Sequence, residues 1–471
     1  MSGPDAVVIG SGPNGLAAAI VLAQAGKSVT VFEAEPTPGG GVRSAELTLP
    51  GFVHDICSAV HPFVRASPFF KQLPLDRYGL EWIEPPVMIG HPFDDGSCAV
   101  VRRSLDRTAE GLGADGAAYR DLIGSVVGSW PDLEDLILGP LHMPRHPFAA
   151  ARFGLRAMRS AAALARGHFR DERTRGLFAG IAAHGLLPLD RVPTGAIGLV
   201  LNALAHVAGW VMPRGGAQRL TTALTAHLLS LGGEIVTDHP VRSLDELPPA
   251  DAILCDLSPA PLLKIAGRRL PAWYRRKLER YRYGLAAFKV DWALAAPIPW
   301  RAADCAQAGT VHLGGSLAEI AHSESEASRG RVSDRPYVLV VQPTPFDASR
   351  APAGRHVVWT YCHVPNGSDV DMLPAIERQL ERFAPGFRDR VLARSIIRPI
   401  DLERHNANLV GGDIAAGVTD IRQLFTRPTW RTYTTPVRGL YVCSASTPPG
   451  VGVHGMCGYH AAQLALKDVF G

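Results

Sequence analysis

The apolar positions at the start of the chain form two short unbroken runs, separated by a glycine-rich turn and an alanine-rich segment. The first run, Ala6 to Ile9, predicts a strand that is covered on both faces. A helix is expected over Leu16–Ala25, and Gly26 marks its C-terminal end. The run "KSVTVFEAE" then predicts a second strand that ends at Glu33. Strand, helix and strand in this order predict the start of a Rossmann-type α/β domain.

Farther along the chain the pattern predicts domains that are interleaved rather than consecutive. Alternation in "AAFKVDWAL" and "RPYVLVVQPT" predicts a second, antiparallel sheet, whereas the stretch before residue 205 reads as helical. We expect five segments: 1–75 (first domain, first part), 76–205 (second domain, mostly helical), 206–284 (first domain, second part), 285–400 (second domain, antiparallel sheet) and 401–471 (first domain, third part).

Two of the returning segments show recognisable elements. In the middle segment, "GGAQRLTTALTAHLLSLGGEIVTDHPVRSL" predicts a helix over Ala217–Leu231 with extended chain beginning near Ile235 and Val241. "PADAILCDLSP" predicts one more strand that returns to the first domain. The C-terminal segment predicts a strand over Leu440–Ala445, a loop, and a helix over Met456–Val469.

The glycines between the first strand and helix indicate a dinucleotide. Gly10, Gly12 and Gly15 have the spacing G-x-G-x-x-G, which provides a tight turn, close approach to a pyrophosphate and close helix–strand packing. Glu33 follows Gly15 by 18 positions, near the roughly 20 expected for an acid that hydrogen-bonds to a ribose. An acid there repels a 2′-phosphate, so NADP is not expected. The alternative is a glycine-rich turn used only for packing.

Two further features favour a flavin over a nicotinamide dinucleotide. Gly39, Gly40 and Gly41 form a second glycine loop, which is followed by Arg43. The C-terminal strand, loop and helix place another helix N-terminus where it can face an anionic group. A flavin needs such a donor because negative charge builds on its pyrimidine edge when it is reduced. The sequence therefore predicts FAD.

The same motifs resemble a known family. "DAVVIGSGPNGLAAAIVLAQAGKSVTVFEAEPTPGGGVRSAELTLPGF", "MPRGGAQRLTTALTAHLLSLGGEIVTDHPVRSL" and "TPPGVGVHGMCGYHAA" resemble the phytoene desaturase-like FAD-dependent oxidoreductases. That family includes carotenoid desaturases, carotenoid isomerases and retinol saturases. The resemblance implies a Rossmann-type FAD-binding domain of the glutathione reductase/amine oxidase kind, interleaved with a substrate domain that contains an antiparallel sheet and helices.

The motifs, together with the resemblance, give a set of expected FAD contacts. Backbone near Val241 is expected to contact the adenine by resemblance alone. The full set is Gly10, Gly12, Pro13, Asn14, Gly15, Glu33, Ala34, Gly40, Gly41, Arg43, Val241, Thr447, Gly452, Val453 and His454.

Composition excludes several classes of protein. The chain has 471 residues, 46% hydrophobic and 20% charged, which is normal for a globular enzyme of two to three domain equivalents. A net charge of +4 gives no indication of nucleic-acid binding. The seven cysteines are scattered without metal-ligand spacing, which argues against zinc and favours reduced thiols in the cytoplasm. The first strand begins near residue 1 and no apolar run is long enough to span a bilayer, so neither a signal peptide nor a membrane span is expected.

Three side chains are candidates for chemistry. Lys289 interrupts an apolar strand, and by resemblance to amine oxidase-type flavoproteins it would approach flavin N5 through a water; an outward-facing sheet lysine is the alternative. His61, in "GFVHDICSAVHPF", is a candidate acid or base near neutral pH. His454 lies just before the last helix and is expected near the flavin. For both histidines, a hydrogen-bonded structural role is the alternative.

A basic amphipathic pattern covers residues 148–169. Phe148, Ala151, Leu155, Met158 and Ala162 recur at helical spacing beside a stripe of arginines. Such a helix is typical of peripheral contact with an anionic membrane. A helix that covers the substrate cavity with a solvated arginine face is the alternative, and the one that we favour from the sequence.

The expected reaction is hydride transfer between flavin N5 and a small, largely apolar substrate of isoprenoid or lipid type, with oxygen or a quinone as electron acceptor. Amine oxidation by an amine oxidase-type flavoenzyme is the rival within enzymes. A flavoprotein with a mainly structural or interaction role is the rival from another class.

Overall fold

The computed structural model describes residues 3–471. Its strands are short at the N-terminus and longest in the middle of the chain. They are β1 (Ala6–Ile9), β2 (Val29–Phe32), β3 (Ser44–Glu46), β4 (Val53–Asp55), β5 (Trp82–Ile83), β6 (Val87–Pro92), β7 (Cys98–Val101), β8 (Met212–Pro213), β9 (Glu234–Val236), β10 (Ala252–Cys255), β11 (Ala286–Leu294), β12 (Ala308–Leu313), β13 (Val338–Val341), β14 (His356–Val364), β15 (Val391–Ile397) and β16 (Leu440–Val442).

The α-helices are concentrated between residues 105 and 207. They are α1 (Pro13–Gln24), α2 (Pro68–Lys71), α3 (Leu105–Gly111), α4 (Gly116–Tyr119), α5 (Ser125–Gly128), α6 (Trp130–Leu138), α7 (Pro147–Ala157), α8 (Ala161–His168), α9 (Glu172–Ala182), α10 (Thr194–Val207), α11 (Gln218–Ser230), α12 (Pro259–Ala266), α13 (Ala272–Glu279), α14 (Ala303–Ala306), α15 (Leu317–Ser328), α16 (Leu373–Phe383), α17 (Pro399–His405), α18 (Ile421–Phe425) and α19 (Met456–Val469).

The first sheet is parallel and is assembled from distant parts of the chain. Its order is β16-β10-β1-β2-β9, so β1 pairs with β2 on one side and with β10 on the other. Both β1 and β10 are almost wholly apolar, as expected for strands with helices on both faces. Because these strands come from the start, middle and end of the sequence, the second layer of the molecule is inserted between them.

The second sheet has the order β15-β11-β14-β13-β12-β6-β7. Residues 76–205, expected to be mostly helical, also supply β6 and β7 to this sheet. One expectation needs correction: the sheet is not purely antiparallel, because β6 runs parallel to β12. The helices α3 to α10 pack on it over an apolar core that includes Trp130, Phe178 and Leu199.

Element boundaries near the predicted site differ from expectation by a few residues. Helix α1 begins at Pro13 rather than Leu16, because Gly12 is its N-cap and proline is well suited to the first turn. The last strand ends at Val442 rather than Ala445. Chain near Val241 is not a strand, although it lies against the first sheet through an apolar cluster with Phe32. None of the helices in residues 3–471 has both the length and the apolar character of a bilayer-spanning segment.

Candidate active site

The β1–α1 turn brings several backbones into unusually close contact. Gly10 has φ of +95°, which favours glycine. A Cβ at Gly15 would lie 2.0 Å from the Gly10 carbonyl oxygen, so only glycine lets α1 start this close to the strand. A Cβ at Gly40 would lie 3.0 Å from Gly12 Cα. The two glycine loops seen in the sequence therefore meet backbone to backbone.

Helices α1 and α19 cross at their N-terminal ends. A Cβ at Gly458 would lie 1.8 Å from the Asn14 carbonyl oxygen, which makes this contact specific for glycine. Asn14 Oδ1 is buried and has no hydrogen-bond partner among the described residues. Two positive helix ends thus converge beside an unsatisfied polar atom, an arrangement suited to an anionic, hydrogen-bonding ligand.

Glu33, at the end of β2, faces the same turn. Its carboxylate accepts hydrogen bonds from the Ser11 N–H at 2.8 Å, the Ser11 hydroxyl, and the Glu35 N–H at 3.0 Å. A carboxylate has about four acceptor positions, so one remains for a further donor such as a ribose hydroxyl. The side chain is buried. It orders the turn as well as offering an acceptor.

One large cavity, of about 720 Å³, runs from this turn into the second layer of the molecule. Its walls change in character along its length. The end at the first sheet is lined by Gly10, Ser11, Gly12, Glu33 and His239, and the far end by Leu186, Ile197, Val200, Leu201, Trp210, Leu339, Trp359, Tyr361 and Ile414. Its carboxylates (Glu33, Glu35 and Asp256) lie in the segments that directly follow β2 and β10, so the far end is mainly apolar and carries no carboxylate.

Most residues expected to contact FAD line this cavity. They are Gly10, Gly12, Pro13, Asn14, Glu33, Ala34, Gly40, Gly41, Arg43, Val241, Gly452, Val453 and His454. Gly15 lies behind the wall, where it packs on Gly10. Thr447 is also not on the wall, because its hydroxyl donates to the Ser444 carbonyl at 2.8 Å and is turned inward.

Arg43 holds the wall together between the two domains. Its Nε donates to the Gly40 carbonyl at 3.0 Å, and its Nη2 donates to the His405 carbonyl at 3.0 Å. The side chain is buried. The arginine therefore links the second glycine loop to the end of α17.

The two histidine candidates differ in what their rings contact. His61 lines the cavity, its Nε2 lies 3.1 Å from the Ser58 hydroxyl, and burial lowers its pKa to about 4, so the ring is neutral at pH 7. His454 Nε2 lies 3.1 Å from the Gly450 carbonyl, and its Nδ1 accepts from the Met456 N–H at 3.0 Å. Because both nitrogens of His454 are engaged, its ring fastens the loop before α19 and has no free nitrogen for proton transfer.

Lys289 is buried rather than outward-facing, with 2% of its surface exposed. Its ammonium pairs with Asp291, two positions along the same face of β11. Burial lowers the pKa of Lys289, and it raises the pKa of Asp291 to about 6. The lysine does not line the large cavity; it lines a void of about 10 Å³ whose wall includes Cys57, Trp359 and Tyr361, which also line the large cavity.

Several cavity residues were not predicted from the sequence. Trp359 and Tyr361 alternate on β14, their ring centroids lie 5.1 Å apart, and both face the cavity. His184 lies on the wall with its Nε2 3.0 Å from that of His312. Asp256 directly follows β10 and reaches the glycine turn. The alternation in "HVVWTYCHV" and the acid after the "AILC" strand were the available signals.

These features fit a bound dinucleotide. The glycines keep the turn open, since side chains at these positions would fill it. The buried Asn14 Oδ1 has no hydrogen-bond donor among the described residues, and a ligand could supply one. Glu33 keeps acceptor capacity toward a ribose. No group of three or more His, Cys, Asp or Glu side chains in the described part of the chain is placed to hold a metal ion.

Comparison with known proteins agrees with this geometry. Residues 8–73 match the family described as NAD(P)-binding Rossmann-like domain. The chain is 25% identical to pyridine nucleotide-disulfide oxidoreductase domain-containing protein 2 of Rattus norvegicus, covering 99% of this chain and 94% of the relative. It is 27% identical to a phytoene dehydrogenase of Streptomyces griseus, covering 82% and 77% respectively. The fold resembles putrescine oxidase solved with bound putrescine, with a TM-score of 0.62, 17% identity and 99% of each chain covered.

The resemblance, the α/β fold and the class of FAD-dependent oxidoreductase expected from the sequence are confirmed by these comparisons. The putrescine oxidase likeness supports the fold alone. A zeta-carotene-forming phytoene desaturase of Myxococcus xanthus is a further relative, with 25% identity over 95% of this chain and 90% of the relative.

Proposed function

We propose that this chain, a homologue of FAD-dependent oxidoreductases, binds FAD non-covalently and exchanges a hydride with a largely apolar substrate of isoprenoid or lipid type. The observation that carries the proposal is the cavity, which joins the glycine turn and Glu33 to a mainly apolar far end without a carboxylate. Bound FAD would supply the hydride acceptor or donor. Oxygen or a quinone is the proposed electron acceptor. The relatives named phytoene dehydrogenase and phytoene desaturase favour this substrate class.

Different residues along the cavity would bind different parts of FAD. Gly12, Asn14 and the start of α1 would hold the pyrophosphate, and Glu33 would accept from a ribose hydroxyl. The backbone near Val241 would contact the adenine. The N-terminus of α19, held in place by the His454 ring, would face the flavin's pyrimidine edge.

Lys289 and His61 are the side chains that would act beside the flavin. His61 lines the cavity, and Lys289 lies behind its wall. The void beside Lys289, about 10 Å³, is at the lower limit for one water molecule. It shares Cys57, Trp359 and Tyr361 with the large cavity, so a water held by Lys289 would lie just behind those side chains. His61 is neutral at pH 7 because burial lowers its pKa to about 4, so it would donate or accept a hydrogen bond rather than carry charge.

Amine oxidation is the second candidate function. The observation that favours it is the Trp359–Tyr361 pair, since aromatic faces attract ammonium groups. Against it, no lining carboxylate lies at the apolar end to pair with a cation. Anaerobic mixing separates the two: bleaching of the flavin spectrum by isoprenoid hydrocarbons or alcohols supports the first candidate, and bleaching by alkylamines alone supports the second.

The first prediction concerns the cofactor. Purified protein, reconstituted with FAD if necessary, should be yellow, and acid precipitation should release FAD into the supernatant. The reason is that the cavity offers hydrogen bonds and helix ends, while Cys443 and Cys457 are buried with pKa values raised by burial, which disfavours the reactive thiolate. The absorbance of the supernatant at the flavin bands measures the released FAD. Colour retained in the pellet contradicts non-covalent binding, and a colourless reconstituted protein contradicts the site.

The substrate would enter from a membrane surface. The amphipathic stretch is two helices, α7 and α8, and its apolar side faces outward rather than covering the cavity as we favoured from the sequence: Phe148 is 91% and Leu155 79% exposed. Of that predicted face, only Ala162 is buried. Arg152, on the same helix as Phe148, is also exposed.

Other exposed apolar side chains lie close in sequence to residues that line the cavity. Leu138, Pro193, Leu424 and Val451 line it, and the exposed Leu141, Val192 and Phe425 lie within a few positions of the first three, while Val451 is itself exposed. We name Leu141, Met143, Phe148, Leu155 and Met158 the mouth patch. An apolar patch beside arginines matches an anionic bilayer surface. We propose that the protein works in the cytoplasm, peripheral to the membrane; the free thiols of the described cysteines support the reducing compartment.

The second prediction tests this patch. The double variant Phe148→Ser/Leu155→Ser should lower the partition into vesicles of phosphatidylcholine and phosphatidylglycerol by about tenfold or more, because two apolar side chains no longer enter the interface. Vesicle flotation measures the bound fraction. Leu229→Ser is the matched control, since Leu229 is 52% exposed on α11, away from the patch, and should leave partition unchanged. Equal flotation of the double variant and wild type would exclude the mouth patch as the membrane contact.

A further inference from the structure

The Asp256 side chain lies in the middle of the glycine turn. Its Oδ2 accepts a hydrogen bond from the Gly15 N–H at 3.0 Å. A Cβ at Gly12 would lie 2.6 Å from the same oxygen, and a Cβ at Gly10 would lie 3.3 Å from Asp256 Cβ. The glycines of the fingerprint therefore close around a carboxyl group as well as leaving room for a ligand.

The backbone holds this side chain in place. The Asp256 N–H donates to the Ile9 carbonyl at 2.8 Å, which continues the β1–β10 pairing. Its carbonyl accepts from Asn408 Nδ2 at 2.8 Å. The residue is buried, yet it lines the cavity beside Gly12 and Asn14.

In the described part of the chain, no basic group forms an ion pair with this carboxyl. Glu33, which directly follows β2, lies near it and carries the same sign of charge. The thiols of Cys255, Cys443 and Cys457 also lie near it, and burial raises the pKa of each, so they are neutral at pH 7. Among residues 3–471, Asp256 makes no ion pair with a lysine or arginine.

A pyrophosphate at the start of α1 would bring negative charge to a site where an ionised Asp256 already uses one helix N–H. Two adjacent anions in a buried site are strongly disfavoured unless one is neutralised. The protonated carboxyl avoids this conflict, since one oxygen still accepts from Gly15 and the O–H becomes a donor toward the cavity. We propose that Asp256 is a further cofactor-binding residue that takes up a proton when the pyrophosphate of FAD binds. The proposal rests on FAD being the cofactor.

The sign of the pH dependence follows from the ligand-free state. Burial raises the pKa of Asp256 to about 7, the Gly15 hydrogen bond opposes this, and the nearby Glu33 adds to it. Below about pH 7 the carboxyl is already protonated, so FAD affinity is constant. Above that pH, binding must recruit a proton, and affinity falls by up to about tenfold per pH unit.

The third prediction is tested by titrating apoprotein with FAD between about pH 6 and about pH 8.5, following the quenching of flavin fluorescence. Wild-type Kd should rise by about tenfold or more over this range. Asp256→Asn keeps the acceptor for Gly15 and cannot ionise, so its Kd should stay constant and be about tenfold lower than wild type at the alkaline end. Asp413→Asn is the matched control: it changes another buried aspartate that accepts backbone hydrogen bonds but does not line the cavity, and the wild-type slope should persist.

Calorimetry in two buffers of different ionisation enthalpy measures proton uptake on wild type directly, even if a variant fails to fold. Uptake approaching one proton per FAD above pH 7 supports the proposal. Wild-type affinity that does not vary with pH, or a slope that survives in Asp256→Asn, overturns it. Absence of FAD binding at every pH overturns the proposed cofactor instead, so the two failures are distinguishable.

Discussion

Glu33→Ala is expected to raise the Kd for FAD by about 10- to 100-fold, or about 1.4–2.7 kcal/mol. Part of the loss is the ribose hydrogen bond, since bonds to a charged acceptor contribute roughly 1.5–3 kcal/mol. The rest comes from the turn itself, because the Ser11 and Glu35 N–H groups lose the carboxylate that accepts them at 2.8 and 3.0 Å. The turn of the variant is therefore less well ordered before FAD arrives.

Equilibrium titration of the apoprotein with FAD measures the total loss of affinity. Thermal unfolding of the FAD-free form, measured in parallel, shows how much of that loss comes from the less ordered turn. Glu33→Gln is the informative companion, because it retains an amide oxygen for Ser11 and removes only the charge; it should fall between wild type and Glu33→Ala. Glu46→Ala changes an exposed acid on β3 and serves as the control that leaves Kd unchanged. An unaltered Kd in Glu33→Ala would show that the end of β2 is not part of the dinucleotide site.

The N-terminal unit was predictable because each of its requirements is local. The glycine spacing, the apolar strand and the position of Glu33 depend on neighbours within about 30 residues. The start of α1 was misplaced by three positions, since its alanine content was weighed above the signal of Pro13 at the first turn. Local patterns therefore located the unit correctly and its boundaries less well.

The rest of the cavity depends on long-range pairing that the sequence does not express directly. Strands β6 and β7 were missed because they are short apolar runs within an alanine-rich region that reads as helical. Their alternation is too brief to indicate a strand against that background. Asp256 lies 241 positions from Gly15, and only the pairing of β1 with β10 brings them together. The outward face of α7 was also not readable from periodicity, which gives an apolar face but not what covers it.

Lys289 shows what the sequence of a single strand can and cannot predict about a side chain. Alternation places residues 289 and 291 on one face, so the pairing with Asp291 was available from "FKVDW". Whether that face is wet, buried or beside a cofactor depends on Cys57 and on the strand β14, which lies next to β11 in the sheet. The structure removes the solvent-exposed alternative, and the role of the lysine toward the flavin stays a prediction.

Lys289→Met is expected to lower the free energy of unfolding by about 3–5 kcal/mol, because it leaves the fully buried Asp291 without its cation. The same change should slow flavin reduction or reoxidation by at least about tenfold, about 1.4 kcal/mol of barrier, while FAD stays bound. The stability loss should grow with pH. In the folded variant the pKa of Asp291 is raised, so the folded state holds a proton that the unfolded state releases above about pH 4, and stability falls until the folded pKa is passed.

Companion variants separate structure from chemistry. Lys289→Met/Asp291→Asn removes the uncompensated charge, so it should regain most of the stability while the flavin half-reactions stay slow. Asp291→Asn alone keeps the lysine amine, which can still hold a water although its pKa falls further without the carboxylate, and should retain rates within a few-fold of wild type. Photoreduction without oxygen, followed by stopped-flow mixing with dissolved oxygen, gives the reoxidation rate without requiring the natural substrate, and chemical denaturation gives the stability. If the rates of the double variant recover together with its stability, Lys289 supports the fold behind Cys57 and Trp359 and takes no part in the chemistry of the cavity.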